Sequence, residues 1–346
     1  MKVGTINFGI NAIIIISIIV LLMVSSLVNF WPITAKSHIF HFSNRQQQPL
    51  SLNRSSSEGN NQGTIFKNTN NANKVAILTF GDGYQSQYTY AKPVLDKYGF
   101  KGNFFVTCNK VGLTSKITWQ EIVQLYKEGH VVGSKTMDYG TKAMQNKDLN
   151  HLSAKNLEFE VGQSKQCLLN HGINTTFFAV PMNIANGNAT VINTIAKYYS
   201  LAINGHSDLT YLHCDGYKKN SSQTDCRTYF DNGNLTFANR YSIGEWSEQH
   251  IKNGISYNDS QMYDKFVREV NSQNKYNKNG IVNAIPLIAY HDIVLLPDIR
   301  DTNEPSATTL NLFNAEMKYL HDNGFRVITF YNLAYDERTN VFYIKQ

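Results

Sequence analysis

An acidic residue held between two glycines stands at the end of an apolar stretch of the chain. The sequence VAILTFGDG runs from Val75 to Gly83 and places Asp82 directly after a predicted buried strand. In parallel sheets flanked by helices, the carboxyl ends of the strands carry the side chains that do chemistry. A carboxylate at such a position can ligate a metal ion or exchange a proton, although Asp beside Gly is also a common turn residue.

Two further strand ends carry polar side chains. The sequence AYHD ends a late apolar run and presents His291, a side chain suited to acid–base catalysis. The sequence GSKTMDYG, residues 133–140, follows a short Val-rich strand and contains Lys135. Because the carboxyl ends of parallel strands meet at one end of a sheet, we expect Asp82, His291 and Lys135 to converge.

Strands and helices alternate along the body of the chain. The predicted strands are 75–80, 102–107, 131–134, 177–180, 201–203, 285–290 and 326–330. The predicted helices are 91–98, 119–128, 154–170, 190–199 and 312–323. Regular alternation with short connections favours parallel strands that close into an α/β barrel.

The N-terminal part of the chain has a different character. Residues 8–30 contain no charged side chain and are long enough to span a bilayer, so we expect residues 1–30 to form an uncleaved signal anchor. Residues 31–73 are rich in Gln, Asn, Ser and Gly, which predicts a disordered polar tether before a folded body at 74–346. Several Asn-x-Ser/Thr sites favour a body outside the cytoplasm. The alternative is a secreted protein whose N-terminal segment is cleaved.

Cysteine usage and charge bear on the compartment and the partners. Cys214 and Cys226 bracket a polar loop that a disulfide would close. Cys108 and Cys167 lie in apolar segments and are expected to be buried thiols, with a second bridge as the alternative. The net charge of +6 is spread thinly and forms no basic block interleaved with aromatic residues, which argues against a nucleic-acid partner.

From Lys74 to Thr329 the sequence resembles the polysaccharide deacetylases, the NodB-homology group of carbohydrate esterases. The resemblance rests on TFGDG, AKPVLDKYGFKGNFFV, ITWQEIVQLYKEGHVVGS, LSAKNLEFEVGQSKQCLLNHG, FFAVP and PLIAYHD. It implies a deformed (β/α) barrel of about seven strands. It also implies removal of acetyl groups from envelope polysaccharides with a divalent metal such as zinc.

The first two motifs of the family are altered in this chain. The family pattern Thr-Phe-Asp-Asp-Gly supplies a catalytic base and then a metal ligand, and here Gly81 stands at the base position while Asp82 keeps the ligand position. The family also has two histidines four residues apart as metal ligands. Lys135 and Tyr139 stand at those positions.

The later motifs are retained only in part. Ala179 and Met182 stand where the family's third motif has its Arg and Tyr, and Pro181 stands at the proline of that motif. His291 matches the histidine that acts as the acid in the family. Glu245-Trp246 is a candidate for a wall of the substrate groove.

These substitutions predict the loss of the metal. A catalytic zinc site needs about three protein ligands and an open position, and a protonated lysine cannot coordinate. We therefore expect no cofactor, a residual ligand at Asp82, and an Asp82–Lys135 ion pair in place of the metal. The alternatives are an exposed Lys135, or a rewired metal site built from Asp82, Asp138 and His291.

The expected function is a membrane-anchored, envelope-facing protein of carbohydrate metabolism that resembles a polysaccharide deacetylase and is catalytically impaired. Its partner would be an envelope or cell-surface glycan bound by Tyr84, Trp246, Pro181 and Met182. Any remaining catalysis would fall to His291 and Asp82. The alternatives are an active hydrolase acting on the carbon–nitrogen bonds of N-acetylated glycans, and a structural module without glycan binding.

Overall fold

The computed structural model describes residues 73–139, 148–183, 188–212, 239–336 and 341–345, and the backbone of short strands at 64–65, 230–231 and 234–235. The chain divides into two units, Met1–Gly59 and Asn60–Gln346, and the described residues belong to the second. The predicted anchor and most of the predicted tether lie outside them. Within the described ranges, no helix combines the length and the apolar character that a bilayer crossing requires.

Eight parallel strands form the central sheet. In chain order they are β1 (Val75–Phe80), β2 (Asn103–Val106), β3 (Val131–Ser134), β4 (Phe177–Ala179), β5 (Leu201–His206), β6 (Ile243–Ser247), β7 (Leu287–Tyr290) and β8 (Arg326–Ile328). Neighbours pair from β1 to β7, and β7 pairs with β1 from Leu287 opposite Ile77 to Tyr290 opposite Phe80. The first seven strands therefore close into a barrel, and β8 pairs with the start of β1. The barrel predicted from the alternation of strands and helices is confirmed.

Strand β1 shows how side chains divide between the two sides of the barrel wall. All six of its residues are buried, as expected for a parallel strand covered on both faces. Val75 and Ile77 pack in the barrel interior with Phe105, whereas Ala76 and Leu78 pack against the surrounding helices. Since side chains alternate along a strand, Thr79 also points inward at the carboxyl end.

Seven helices surround the described part of the barrel. They are α1 (Lys92–Lys97), α2 (Trp119–Lys127), α3 (Ala154–Glu158), α4 (Ser164–Asn170), α5 (Ala189–Ala196), α6 (Asp259–Ser272) and α7 (Leu310–Asp322). The predicted capping box of α2 is present: the Thr118 side chain accepts from the Glu121 amide, and the Glu121 carboxylate accepts from the Thr118 amide. The single helix predicted over 154–170 is interrupted by a π-helical turn at Phe159–Gln163.

Other elements also differ from the sequence-based predictions. Helix α6 and strand β6 were not predicted, although Asn258 and Gln261 form a capping box before α6. Thr64–Ile65, within the segment predicted to be a disordered tether, pair with Ile281–Val282.

Cys108 and Cys167 form a disulfide, so the expectation of two buried thiols was wrong. Cys108 follows β2 and Cys167 lies in α4, and the barrel brings these distant apolar segments side by side. Cys214 and Cys226 lie outside the described residues.

Candidate functional site

Three side chains meet at the carboxyl end of the barrel, as the sequence predicted. The Lys135 Nζ atom lies 2.8 Å from Asp82 Oδ1. The His291 Nδ1 atom lies 2.8 Å from Asp82 Oδ2. Both oxygens of the Asp82 carboxylate are thus engaged by groups from the ends of β3 and β7, and the predicted Asp82–Lys135 ion pair is present.

The electrostatic environment of the Asp82–Lys135 ion pair favours the charged forms of both side chains. Burial alone would raise the pKa of Asp82, but the Lys135 ammonium and the His291 ring outweigh it and hold that pKa well below its ordinary value of 3.8. Burial likewise opposes the charge on Lys135, but the Asp82 carboxylate raises the pKa of Lys135 above 10.5. The ion pair therefore persists across the neutral range.

A buried amide side chain holds the loops that carry Asp82 and His291. The Gln87 Nε2 atom donates to the Gly81 carbonyl at 2.5 Å and to the His291 carbonyl at 2.9 Å. The Gly81 amide donates to the Tyr290 carbonyl at 2.9 Å. Sequence reasoning missed Gln87, because nothing in its local pattern distinguishes it from a surface residue of the following helical turn.

The space beside Gly81 is filled by the same side chains. A Cβ atom at Gly81 would lie 3.1 Å from the His291 Cε1 and Nδ1 atoms and 3.3 Å from Lys135 Nζ. These distances are tighter than ordinary van der Waals contacts. The position that carries the catalytic base in the resembled family is thus bounded by the two groups that bind Asp82.

Three non-glycine residues at the site have strained backbone conformations. Asp82, Thr136 and Met182 have φ angles of 69°, 76° and 59°. Non-glycine residues seldom adopt the left-handed region, and a β-branched Thr does so least readily. Such strain is often found at binding and catalytic sites.

A cavity of about 330 Å³ opens above these residues. Its polar walls include Asp82, Lys135, His291 and Glu245, and the Thr79 hydroxyl donates to Glu245 Oε2 at 2.8 Å. Glu245 lies on β6 and was expected from the sequence as a groove wall, whereas Thr79 on β1 was not singled out. The alternation of inward-facing side chains along β1 is the signal that would have identified Thr79.

The apolar wall of the cavity includes one of the expected sugar-contacting residues, Met182. Tyr139, Ala179 and Met182 line it, and Met182 is 60% exposed.

Tyr84, Pro181 and Trp246 do not line this cavity. The Tyr84 ring lies under the Lys116 ammonium, with Nζ 3.3 Å from the ring centroid. Pro181 begins a short 3-10 turn and is buried. Trp246 follows Glu245 on β6 and therefore points to the opposite side of the strand.

The residues present do not fit a divalent metal of the zinc type. Lys135 places an ammonium group against the Asp82 carboxylate, and a protonated amine has no lone pair to offer a metal. Asp138 does not complete an alternative set with Asp82 and His291, since its carboxylate accepts from the Asn109 side chain and does not line the cavity. We derive no catalytic step through a metal at this position.

Comparison with known proteins supports the resemblance seen in the sequence. Residues 68–203 match the family model described as polysaccharide deacetylase. The YxkH protein of Bacillus subtilis, which carries the same family name, is 30% identical over 93 residues, 27% of this chain and 31% of that protein. A chitin deacetylase of Arthroderma benhamiae is 33% identical over 103 residues, 29% of this chain and 24% of that protein.

Among solved structures, a family 4 carbohydrate esterase from Streptomyces lividans in complex with acetate aligns over 79% of this chain and 99% of its own. The TM-score is 0.43 and the identity is 12%. The alignments with the curated relatives span 31% and 24% of their lengths. Residues 68–203 are thus similar to a polysaccharide deacetylase domain, as the family model and the curated relatives agree.

Proposed function

We propose that this chain is a polysaccharide deacetylase-like protein that binds a glycan in its central cavity and is impaired in the family's metal-dependent hydrolysis. The observation that carries this proposal is the engagement of both Asp82 carboxylate oxygens by Lys135 and His291. A fixed ammonium group stands at a position where the family resemblance implies a metal ligand.

The chemistry of hydrolysis requires a strong nucleophile, and this site lacks the means to make one. Water without a metal keeps a pKa near that of bulk water, so little hydroxide forms at neutral pH. Gly81 supplies no carboxylate to act as a general base, a role typically worth about two to four orders of magnitude in rate. His291 Nδ1 is engaged by Asp82, which orients the ring and leaves Nε2 as its nitrogen for any proton exchange with a bound ligand.

The cavity itself retains the features of a saccharide site. Its volume of about 330 Å³ lies within the range of small-molecule sites. Tyr139 and Met182 offer apolar surface, and Glu245, His206 and Gln249 offer polar groups that can bind hydroxyls. This mixture of one apolar wall and several polar groups is typical of sugar recognition.

The same proposal places the body outside the cytoplasm. The apolar segment at residues 8–30 would anchor it to a membrane, or direct its secretion if cleaved. The Cys108–Cys167 disulfide supports this, because disulfides persist in oxidising compartments.

The experiment is a measurement of metal content and acetate release. The purified full chain is incubated with zinc, dialysed, and analysed by elemental mass spectrometry beside the Asp82→Ala variant. We expect the wild-type protein to retain no more zinc than the variant and to release no acetate from N-acetylated oligosaccharides. We also expect it to bind such oligosaccharides.

Two results would contradict the proposal in different ways. Stoichiometric zinc that disappears in Asp82→Ala, together with acetate release, would identify an active hydrolase with a rewired site. Absence of binding to every oligosaccharide would leave the structural module as the remaining function.

A further inference from the structure

A second cavity adjoins the central one on the far side of strand β6. Its volume is about 250 Å³, and Ser247 and Gln249 line both cavities. The alternation of side chains along β6 places Glu245 at the central cavity and Trp246 at the second, and Ser247 at the end of the strand lines both. A glycan that fills the central cavity could thus continue into the second without leaving the surface.

The wall of the second cavity is rich in positive charge. Lys252 and Arg268 are exposed, Lys265 is half-buried, and all three line it. Within the described part of the chain, none of these three side chains forms an ion pair with a carboxylate. The Lys265 ammonium lies 2.9 Å from the centroid of the Tyr257 ring, which fixes it without neutralising it.

The one acidic side chain in this wall does not offset the cations. Glu269 is 9% exposed, and its Oε1 atom is buried without a hydrogen-bond partner. Burial, reinforced by Asp208, raises the pKa of Glu269 to about 8. A carboxyl group that stays protonated near neutral pH carries no negative charge and is a hydrogen-bond donor, so Glu269 leaves the positive charge of the cavity wall in place.

Trp246 supplies the apolar part of the cavity. It is half-buried, so one part of the indole packs on the core and another part remains open to the cavity. An aromatic face beside several cations fits a sugar ring that carries a negative group. A long nucleic acid would need a continuous basic groove and several stacking rings, and this small cavity offers a single indole.

We propose that this cavity is a subsite for a sugar residue bearing an anionic substituent. The sugar ring lies against Trp246, and its carboxylate or phosphate is bound by Lys252, Lys265 and Arg268. The inference rests on the proposed function, since it assigns the adjoining unit of the glycan bound in the central cavity.

The test compares two tetrasaccharides of similar size by isothermal titration calorimetry on the full chain at about 150 mM salt, where long-range attraction is screened. One is a hyaluronan tetrasaccharide, which alternates N-acetylglucosamine with glucuronate, and the other is a neutral chitin tetrasaccharide. We expect the hyaluronan fragment to bind at least about tenfold more tightly, the effect of one well-placed charged contact.

Matched variants separate a built subsite from general attraction. We expect Lys252→Ala/Arg268→Ala to lose about tenfold or more in affinity for the hyaluronan fragment and less than about twofold for the chitin fragment. The control, Lys155→Ala/Lys278→Ala, removes the same charge from exposed positions outside both cavities and should leave both affinities unchanged. Competition by glucuronate or by glucose 6-phosphate shows whether a carboxylate or a phosphate is preferred.

Each contrary result has a distinct meaning. Equal affinity of the wild-type protein for the two fragments would overturn the subsite and leave the proposed function standing. An equal loss for the hyaluronan fragment in the control variant would show that net charge alone is responsible. Binding of neither fragment would overturn the subsite, and absence of binding to every other oligosaccharide would overturn the proposed function as well.

Discussion

The Asp82–Lys135 pair is a buried arrangement in which each charge depends on the other. The two side chains are only 17% and 10% exposed. Removal of both charges from such a site is often tolerated, whereas removal of one leaves the other buried without compensation. Because the pKa of Asp82 is held well below its ordinary value, its contribution to folding is present at neutral pH and is lost as the pH falls through that lowered pKa.

The first prediction at this scale concerns Lys135→Met. We expect this variant to lower the free energy of unfolding by about 3 kcal/mol at pH 7, since Asp82 loses its cation. The deficit should shrink below about pH 4, where protonation of Asp82 removes the uncompensated charge. Urea unfolding followed by circular dichroism across this pH range measures both effects.

The double variant Asp82→Asn/Lys135→Met is the control. It removes both charges and keeps similar volumes, so its stability should lie within about 1 kcal/mol of the wild-type protein at pH 7. If Lys135→Met were as stable as this double variant at pH 7, the ion pair would contribute nothing to the free energy of unfolding.

At the level of residues, the sequence predicted those contacts that depend on strand ends. Asp82, Lys135 and His291 each follow an apolar strand, and parallel strands bring their ends together. One Asp82 carboxylate oxygen binds Lys135 and the other binds His291. This arrangement depends on side-chain rotamers, which the sequence does not specify. Gln87 was missed for the same reason.

Strand β3 shows how close packing fixes the position of Lys135. Gly133 lies opposite Phe105 of β2, and a Cβ atom at Gly133 would lie 2.4 Å from Phe105 Cε1 and 3.1 Å from the Phe177 carbonyl oxygen. The Phe105 ring fills the space that this glycine leaves open. Any shift of β3 to relieve a clash would displace Lys135, two residues further on.

The prediction for this element is that Gly133→Ala destabilises the protein. We expect the free energy of unfolding to fall by about 1–3 kcal/mol, the usual effect of overpacking a core. Gly205 on β5 is a matched control, because the nearest atom to its Cβ would be Gly244 Cα at 3.7 Å. Gly205→Ala should change stability by less than about 0.5 kcal/mol, and equal effects in the two variants would refute the packing argument.

The elements that sequence reasoning recovered are those with strong local signals. Buried strands such as β1 are continuous apolar runs, and α2 begins with a complete capping box. Strand β6 was missed because Gly244 and Glu245 interrupt its apolar pattern. The Glu245 side chain lines the central cavity, where a polar residue is accommodated. Helix α6 was missed although its N-terminal capping residues were visible.

At the scale of the whole molecule, the disulfide adds a covalent link between two segments that would otherwise be held side by side by the packing of the barrel. Cys108 and Cys167 are 59 residues apart in the chain. The Cys108 amide donates to the Thr136 carbonyl at 3.2 Å, and the Thr107 hydroxyl donates to the Lys135 carbonyl at 3.0 Å. The bridge thus supports the loop that carries Lys135.

The prediction at this scale is that Cys108→Ala/Cys167→Ala lowers the free energy of unfolding by up to about 4 kcal/mol, the chain-entropy value for a loop of this length. Urea unfolding with and without a reducing agent measures it. The Cys214→Ala/Cys226→Ala variant should remain sensitive to the reducing agent. Peptide mass spectrometry that finds Cys108 alkylated in the unreduced, denatured chain would contradict the bridge.

The crowding around Gly81 has a consequence for how this protein could change over evolutionary time. A carboxylate could return to position 81 only if His291 and Lys135 gave way, since a Cβ atom there already lies within 3.1 Å and 3.3 Å of them. An Asp at that position would also place a second negative charge beside Asp82. Positions 81 and 135 are therefore epistatic: an acidic residue at position 81 meets Lys135 and His291, and loss of Lys135 alone leaves Asp82 without its cation, so either single change leads through a less stable protein.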